Sequence, residues 1–298
     1  APKPGPGPAW QVQAQIGRVL AGKGQALSGV RLEARDNGTI ITQAALSGAT
    51  LPTAGGKGGP FQLSIVPDRG GRRLSGTAAD AGGLLRALGV VPDLYGGHLT
   101  LGGQYDDGPI GKAGPDHPLV GSVQITDFRL KDAPVAARLL QALSGYGIFK
   151  ALGSDDLGFT EFVARFRYSD DVVTLSQARA FNPSLGITAK GRLDLARQAA
   201  DVEGTIVPAY LLNSFLGHLP LIGQLLSPER GGGLIAMNYS VRGPFADPRV
   251  VVNPLSAVTP GFLRGLFDVF DAKGPPDPGA PAAKPLPPTP PGGIPSDG

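Results

Sequence analysis

Residues 186–195 read Gly-Ile-Thr-Ala-Lys-Gly-Arg-Leu-Asp-Leu, and the reading of this stretch decides the fold. Ile187, Ala189, Leu193 and Leu195 fall on one side of an extended chain, and Thr188, Lys190, Arg192 and Asp194 on the other. A period of two points successive side chains to opposite faces, so this is a strand with one apolar and one charged face. The same pattern runs outward in both directions. Residues 160–168 set Phe162, Phe166 and Tyr168 against Glu161, Arg165 and Arg167. Residues 234–242 put Ile235, Met237, Tyr239 and Val241 on one face, and 249–253 make a further strand.

Toward the N-terminus, strands are predicted over 11–20, 28–35, 39–47, 61–65 and 71–77, then 98–105 and 120–130. Asp36-Asn37-Gly38 is a strong hairpin signal between two of them, and a second hairpin turns at 68–71. Strands over 172–180 and 201–206 flank the opening stretch, the first entered through Ser169-Asp170-Asp171. Residues 1–9 form a Pro/Gly lead-in. The whole of 10–271 reads as one β-rich domain, and the Pro-rich tail 272–298 is expected to be disordered.

Helices are few, short and amphipathic, and most lie in the C-terminal half. They are predicted near 79–88, 134–152, 208–226 and 259–270. In the third, Leu211, Leu212, Phe215, Leu219 and Ile222 follow helical spacing, with a bend expected at Pro220. In the fourth, Thr259 caps and Pro260 opens a helix whose Phe262, Leu266, Phe267 and Phe270 share a side. Three readings of 208–226 stay open: a membrane span, a pair of core helices, and helices lying on a membrane surface.

Composition narrows the function classes. The chain has 298 residues and no cysteine, which excludes disulfides and thiolate metal sites. His98, His117 and His218 are scattered without ligand spacing, so neither metal nor cofactor is expected. A net charge of +3 without a long basic run argues against nucleic acid. Gly (46) and Pro (30) are abundant, as many turns between short strands require. The start at Ala1, without an initiator Met or a signal-peptide pattern, reads as a fragment or processed form of something longer.

One-faced strands joined by hairpins build antiparallel sheets, and here few helices are available to cover them. The expected fold class is therefore mainly β, an antiparallel sheet curved into an open trough or folded into a sandwich. Composition and periodicity favour the sandwich, because filled cores are commoner.

Three phrases carry a family resemblance. They are Pro220-Leu-Ile-Gly-Gln-Leu-Leu226, the run from Gly231 through Tyr239 to Pro248, and Val252-Asn-Pro-Leu-Ser256 followed by Pro260-Gly-Phe-Leu-Arg264. Together with Phe128-Arg-Leu-Lys-Asp-Ala-Pro134 and Leu157-Gly-Phe-Thr-Glu-Phe162, they resemble the C-terminal region of large AsmA-like proteins of Gram-negative bacteria, the YhdP type in particular. The resemblance spans about 120–270 and is thinner before it. It implies a periplasmic, bridge-like lipid transfer protein whose upstream part is anchored in the inner membrane. An apolar β-sheet groove would carry phospholipid toward the outer membrane, and the terminal helices would meet the inner leaflet there or an envelope protein.

On that reading the chain is not an enzyme. The groove lining would be Phe162, Phe166, Tyr168, Ile187, Leu193, Leu195, Ile235, Met237 and Tyr239. Leu211, Leu212, Phe215, Leu219, Ile222, Phe262, Leu266, Phe267 and Phe270 would face membrane or close the groove. For any one lining residue, ordinary core packing is the competing account. The alternative function is a structural or assembly module for outer-membrane or envelope integrity that carries no lipid. A glycosidase would need paired carboxylates across a cleft; Asp155-Asp156 and Asp170-Asp171 read as turn residues and Glu161 as a residue of a charged face.

Overall fold

A computed structural model describes residues 7–21, 25–53, 56–68, 71–107, 117–131, 156–183, 185–208 and 237–254. The predicted helices at 134–152, 208–226 and 259–270 and the tail 272–298 lie outside the described residues.

The strands are β1 (Trp10–Leu20), β2 (Ala26–Asp36), β3 (Ile41–Thr50), β4 (Gly59–Asp68), β5 (Gly71–Ala78), β6 (Leu94–Asp106) and β7 (Leu119–Lys131). They continue as β8 (Asp156–Ser169), β9 (Val172–Asn182), β10 (Leu185–Asp194), β11 (Ala199–Pro208), β12 (Met237–Pro244) and β13 (Arg249–Pro254). All thirteen belong to one open antiparallel sheet, in which spatial order equals chain order. Each predicted strand falls on an observed one. Among the described residues the strands form one open sheet and not the sandwich favoured by composition, each strand pairing with its neighbours in the chain. Nor does the sheet close into a barrel.

Local chemistry explains the turns. Between β2 and β3, the Asn37 side-chain oxygen accepts from the amides of Thr39 and Ile40 at 3.0 Å. Gly38, with φ 92°, takes the left-handed step that a side chain would resist. Between β8 and β9, Asp170 and Asp171 have φ of 51° and 59°, the pair of left-handed residues that a two-residue hairpin with a primed turn requires. Strand β6 begins at Leu94, earlier than predicted. Gly96 and Gly97 have φ of 67° and 84°, so a pair that reads as a turn lies within the strand.

One helix, α1 (Ala81–Ala87), is described, within the predicted 79–88. Asp80 caps it, one carboxylate oxygen accepting from the Gly83 amide at 2.8 Å and the other from Gly58 at 3.1 Å. Leu84 and Ala81 are buried against Phe61, Ala78, Leu94 and Leu99, so the helix seals one strand-end margin of the sheet. Arg86 holds it there. Its guanidinium donates to the Leu94 carbonyl at 2.8 Å and lies 4.1 Å above the Tyr95 ring.

Candidate functional site

The register sorts the side chains of the sheet into rows that cross it at right angles to the strands. A central row begins Ala14, Leu32, Leu46, Leu63, Gly76, Leu101 and Val123 from β1 to β7. It continues Ala164, Ala178, Ala189, Gly204, Tyr239 and Val252 from β8 to β13. Not one of these residues is charged. Only Tyr239 has a polar side-chain atom, and its hydroxyl is turned onto the backbone, donating to the Thr188 carbonyl at 2.8 Å.

Parallel rows flank this one. On the α1 side, Phe61, Leu99, Ile125, Phe162, Ile187 and Met237 stand in one line from β4 to β12. On the far side, Val12, Ile65, Phe166, Leu175, Val202 and Val241 mark a line that reaches both ends of the sheet. A bulge in β9 would break such lines if uncompensated. The shift between Arg165 and Phe166 on the β8 side is matched by the shift between Ala189 and Gly191 on the β10 side, so Phe166, Leu175 and Gly191 stay aligned.

On the opposite face the row behind the central one is polar but for one residue. The row that alternates with these reads Gln62, Thr77, Thr100 and Gln124 on β4 to β7, then Thr188, Thr205, Asn238 and Asn253 on β10 to β13. Val163 is its apolar exception. Exposed salt bridges Arg242–Asp201 (3.0 Å) and Lys190–Glu203 (3.1 Å) lie on this face, whereas Val163, Arg179 and Thr205 of that row are buried.

Glycines let large side chains lie flat on the apolar face. A Cβ on Gly121 would stand 3.0 Å from the Phe166 ring and 2.5 Å from the Gly102 carbonyl oxygen, so the Phe166 ring occupies the space. At Gly204 a Cβ would strike the Thr188 carbonyl and come within 2.9 Å of the Tyr239 ring. Burial pushes the Tyr239 phenol's pKa up, which keeps it a neutral donor.

A polar lock bounds the face at its far strand ends. Arg72 and Tyr105 face each other across β5 and β6, with the guanidinium 4.1 Å above the ring. Arg72 donates two hydrogen bonds to Asp107, at 2.9 and 2.8 Å, and a third to the Ile41 carbonyl at 2.7 Å. The paired Arg72 holds the Asp107 carboxyl below its ordinary range, against a smaller opposing effect of burial. His117 Nδ1 lies 3.1 Å from Asp107, so the lock also ties down the chain entering β7.

The sequence-predicted lining residues Phe162, Phe166, Ile187, Met237 and Tyr239 come together in the three apolar rows. Tyr168 and Leu193 lie one row further out, both level with Val173, and the Tyr168 hydroxyl donates to Asp171 at 3.1 Å. Leu195 follows the end of β10 and is 46 % exposed, apart from the rows. Ile235 and the helical set Leu211, Leu212, Phe215, Leu219, Ile222, Phe262, Leu266, Phe267 and Phe270 lie outside the described residues. Half of the face, on β2 to β7, was missing from the predicted set: Leu46, Leu63, Leu101 and Val123 carry the same period of two, and pairing the hairpins in register would have found them.

The arrangement offers a continuous apolar surface and little chemistry. Asp170 and Asp171 form a turn, and Glu161 accepts from Gln124 on the polar face. Among the described residues no cluster of His, Asp or Glu suits a metal ion. Comparison with protein families, characterised proteins and solved structures finds no match to this chain.

Proposed function

We propose that the chain is a periplasmic module of a bridge-like lipid transfer protein, in which acyl chains of phospholipid lie along the apolar face of a curved, trough-like sheet. The carrying observation is the central row, apolar on every strand from Ala14 to Val252, while the row behind it is polar but for Val163. A filled core needs apolar residues wherever two layers meet. A path for a hydrocarbon chain needs them in an unbroken line across the strands. At ~4.8 Å between strands, twelve steps give a line roughly 58 Å long, nearly twice the ~30 Å hydrocarbon thickness of a bilayer. The resemblance to AsmA-like proteins supplies the rest of the reading: inner-membrane anchorage of an upstream part, phospholipid as cargo, and an outer-membrane destination.

Native mass spectrometry with lipid extraction of the purified chain tests this reading. Phospholipid is expected to co-purify with the wild-type chain and to be lost from Phe166→Asp, a half-buried position in the middle of the face. Far-UV circular dichroism must show that the variant keeps its β spectrum. A folded wild-type chain free of lipid would overturn the proposal in favour of a structural or assembly role in the envelope.

A further inference from the structure

Two further rows cross the polar face between the row of Gln124 and Thr188 and the strand ends that hold the Arg72 lock. On β4 to β7 the nearer one reads Ser64, Ser75, Gly102 and Ser122, without charge. On β8 to β13 the character changes. The nearer row carries Arg165, Lys190 and Glu203. The next carries Arg167, Arg192, Asp201, Arg242 and Arg249. All eight side chains are exposed. Six basic residues against two acidic ones leave an excess of four, larger than the +3 of the whole chain. Folding does not call for this. Solvated faces mix the two signs, and like charges opposite each other across strands destabilise a sheet. Yet Arg242 and Arg249 are direct register partners, and Arg167 and Arg192 flank Thr174 from either side. The two acids are already engaged, Asp201 by Arg242 and Glu203 by Lys190. At the neighbouring turns, Asp171 accepts from Tyr168 and Asp194 pairs with Arg197. Arg165, Arg167, Arg192 and Arg249 are left without a carboxylate partner among the described residues.

We propose that this basic strip is the docking surface for an acidic segment of a partner protein, which crosses β8 to β13 and gives its carboxylates to those four arginines. The face already performs this chemistry, since Arg242 and Lys190 hold carboxylates at 3.0 and 3.1 Å. Five of the six cations are arginine, whose planar fork matches a carboxylate bidentately. Arg167, Arg192 and Arg242 stand on alternate strands, so at ~4.8 Å per strand they repeat at about 10 Å. Carboxylates on every third residue of an extended segment repeat at about the same distance. On β8 to β13 neither row holds an aromatic side chain, the anchor that membrane surfaces and single-stranded nucleic acid use. A second copy of this chain does not fit, because two such faces would set arginine against arginine. The docking is independent of whether lipid occupies the apolar face.

Fluorescence anisotropy of a labelled oligoglutamate peptide, titrated with the full chain, tests this. The wild-type chain is expected to bind it, more weakly as salt is raised. The double variant Arg192→Glu/Arg249→Glu is expected to weaken binding about tenfold or more. Arg31→Glu/Arg35→Glu, a change of equal charge at exposed residues of β2 on the same face, is expected to leave it within about twofold. Arg249→Gln separates docking from folding: it should weaken the peptide and keep or raise the thermal midpoint, because it relieves the contact with Arg242. A wild-type chain that does not bind oligoglutamate overturns the proposal. So does an equal loss in the β2 variant, which would make the attraction one of net charge, or a lowered midpoint in Arg249→Gln, which would make that arginine structural. Phosphatidylglycerol vesicles that bind through Arg192 and Arg249 where oligoglutamate does not would overturn it in favour of a membrane surface.

Discussion

Replacing Asp107 by Asn tests whether the Arg72 lock stabilises the margin of the apolar face. The substitution keeps shape and one acceptor but removes the charge. Arg72 retains the Ile41 carbonyl and the Tyr105 ring, yet loses a two-bond contact made at 2.9 and 2.8 Å by side chains only 9 % and 13 % exposed. Hydrogen bonds to charged groups contribute about 1.5–3 kcal/mol, and stranding one partner of a buried pair costs more, about 3–5 kcal/mol. With the amide oxygen still accepting, we expect a loss of about 2–3 kcal/mol, an apparent Tm lower by roughly 5–10 °C. Urea denaturation at pH 7 measures it. The pH dependence gives an independent check. Arg72 depresses the folded pKa of Asp107 below its ordinary 3.8, so its stabilisation is fully present above that value and is lost as pH falls through the folded pKa. The gap between wild type and Asp107→Asn should therefore close as pH falls through the folded pKa of Asp107, at strongly acid pH. A difference below about 0.5 kcal/mol at pH 7 would refute the reasoning, because that is the scale of an ordinary surface substitution.

Other substitutions divide the face by its burial. Met237→Asp, at a position 0 % exposed, should fail to give a cooperative thermal transition, whereas Phe166→Asp should keep one. Gly204→Val should cost about 1–3 kcal/mol or more, read by chemical denaturation, because a Cβ there meets the Thr188 carbonyl and the Tyr239 ring. Tyr239→Phe should cost about 1 kcal/mol in the same assay, the net worth of its hydrogen bond to Thr188. Leu84→Ala should destabilise by about 2–5 kcal/mol, since this 2 %-exposed side chain is the main anchor of α1.

The alternation in 186–195 was enough to read strands and their faces, because a period of two is a property of the backbone and survives any arrangement of the sheet. The turns were legible for a similar reason. Asn37-Gly38 and Asp170-Asp171 tolerate left-handed backbone, and few other pairs do. What the sequence could not settle was layering. A strand with one apolar face looks the same whether that face meets another sheet or meets something else. The preference for a sandwich rested on how common filled cores are, and no residue in the strands contradicts it. The Arg72 lock was invisible for another reason. Arg72 and Asp107 stand far apart in the chain and meet only because β5 and β6 pair with Gly71 opposite Asp106. Arg72 also falls on the apolar side of its strand, where a lone arginine reads as an exception to the pattern.

That exception bears on how the face is used. The apolar strip crosses thirteen strands, and long parts of it are deeply buried, with Ile206 and Met237 at 0 % and Ala164 and Ala178 at 1 % and 2 % exposure. Its polar interruptions occur at the strand ends, in α1 with Arg86 on one side and in the Arg72–Asp107 pair on the other. Neither falls within the central row. Polar groups that border a strip without crossing it confine whatever lies there to one direction, perpendicular to the strands. The glycines act in the same sense: with Gly121 beneath Phe166 and Gly204 beneath Tyr239, two of the bulkiest rings on the face lie down rather than stand across the line. Confinement at the margins combined with a low floor is what a hydrocarbon chain sliding along the face, as proposed above, would require.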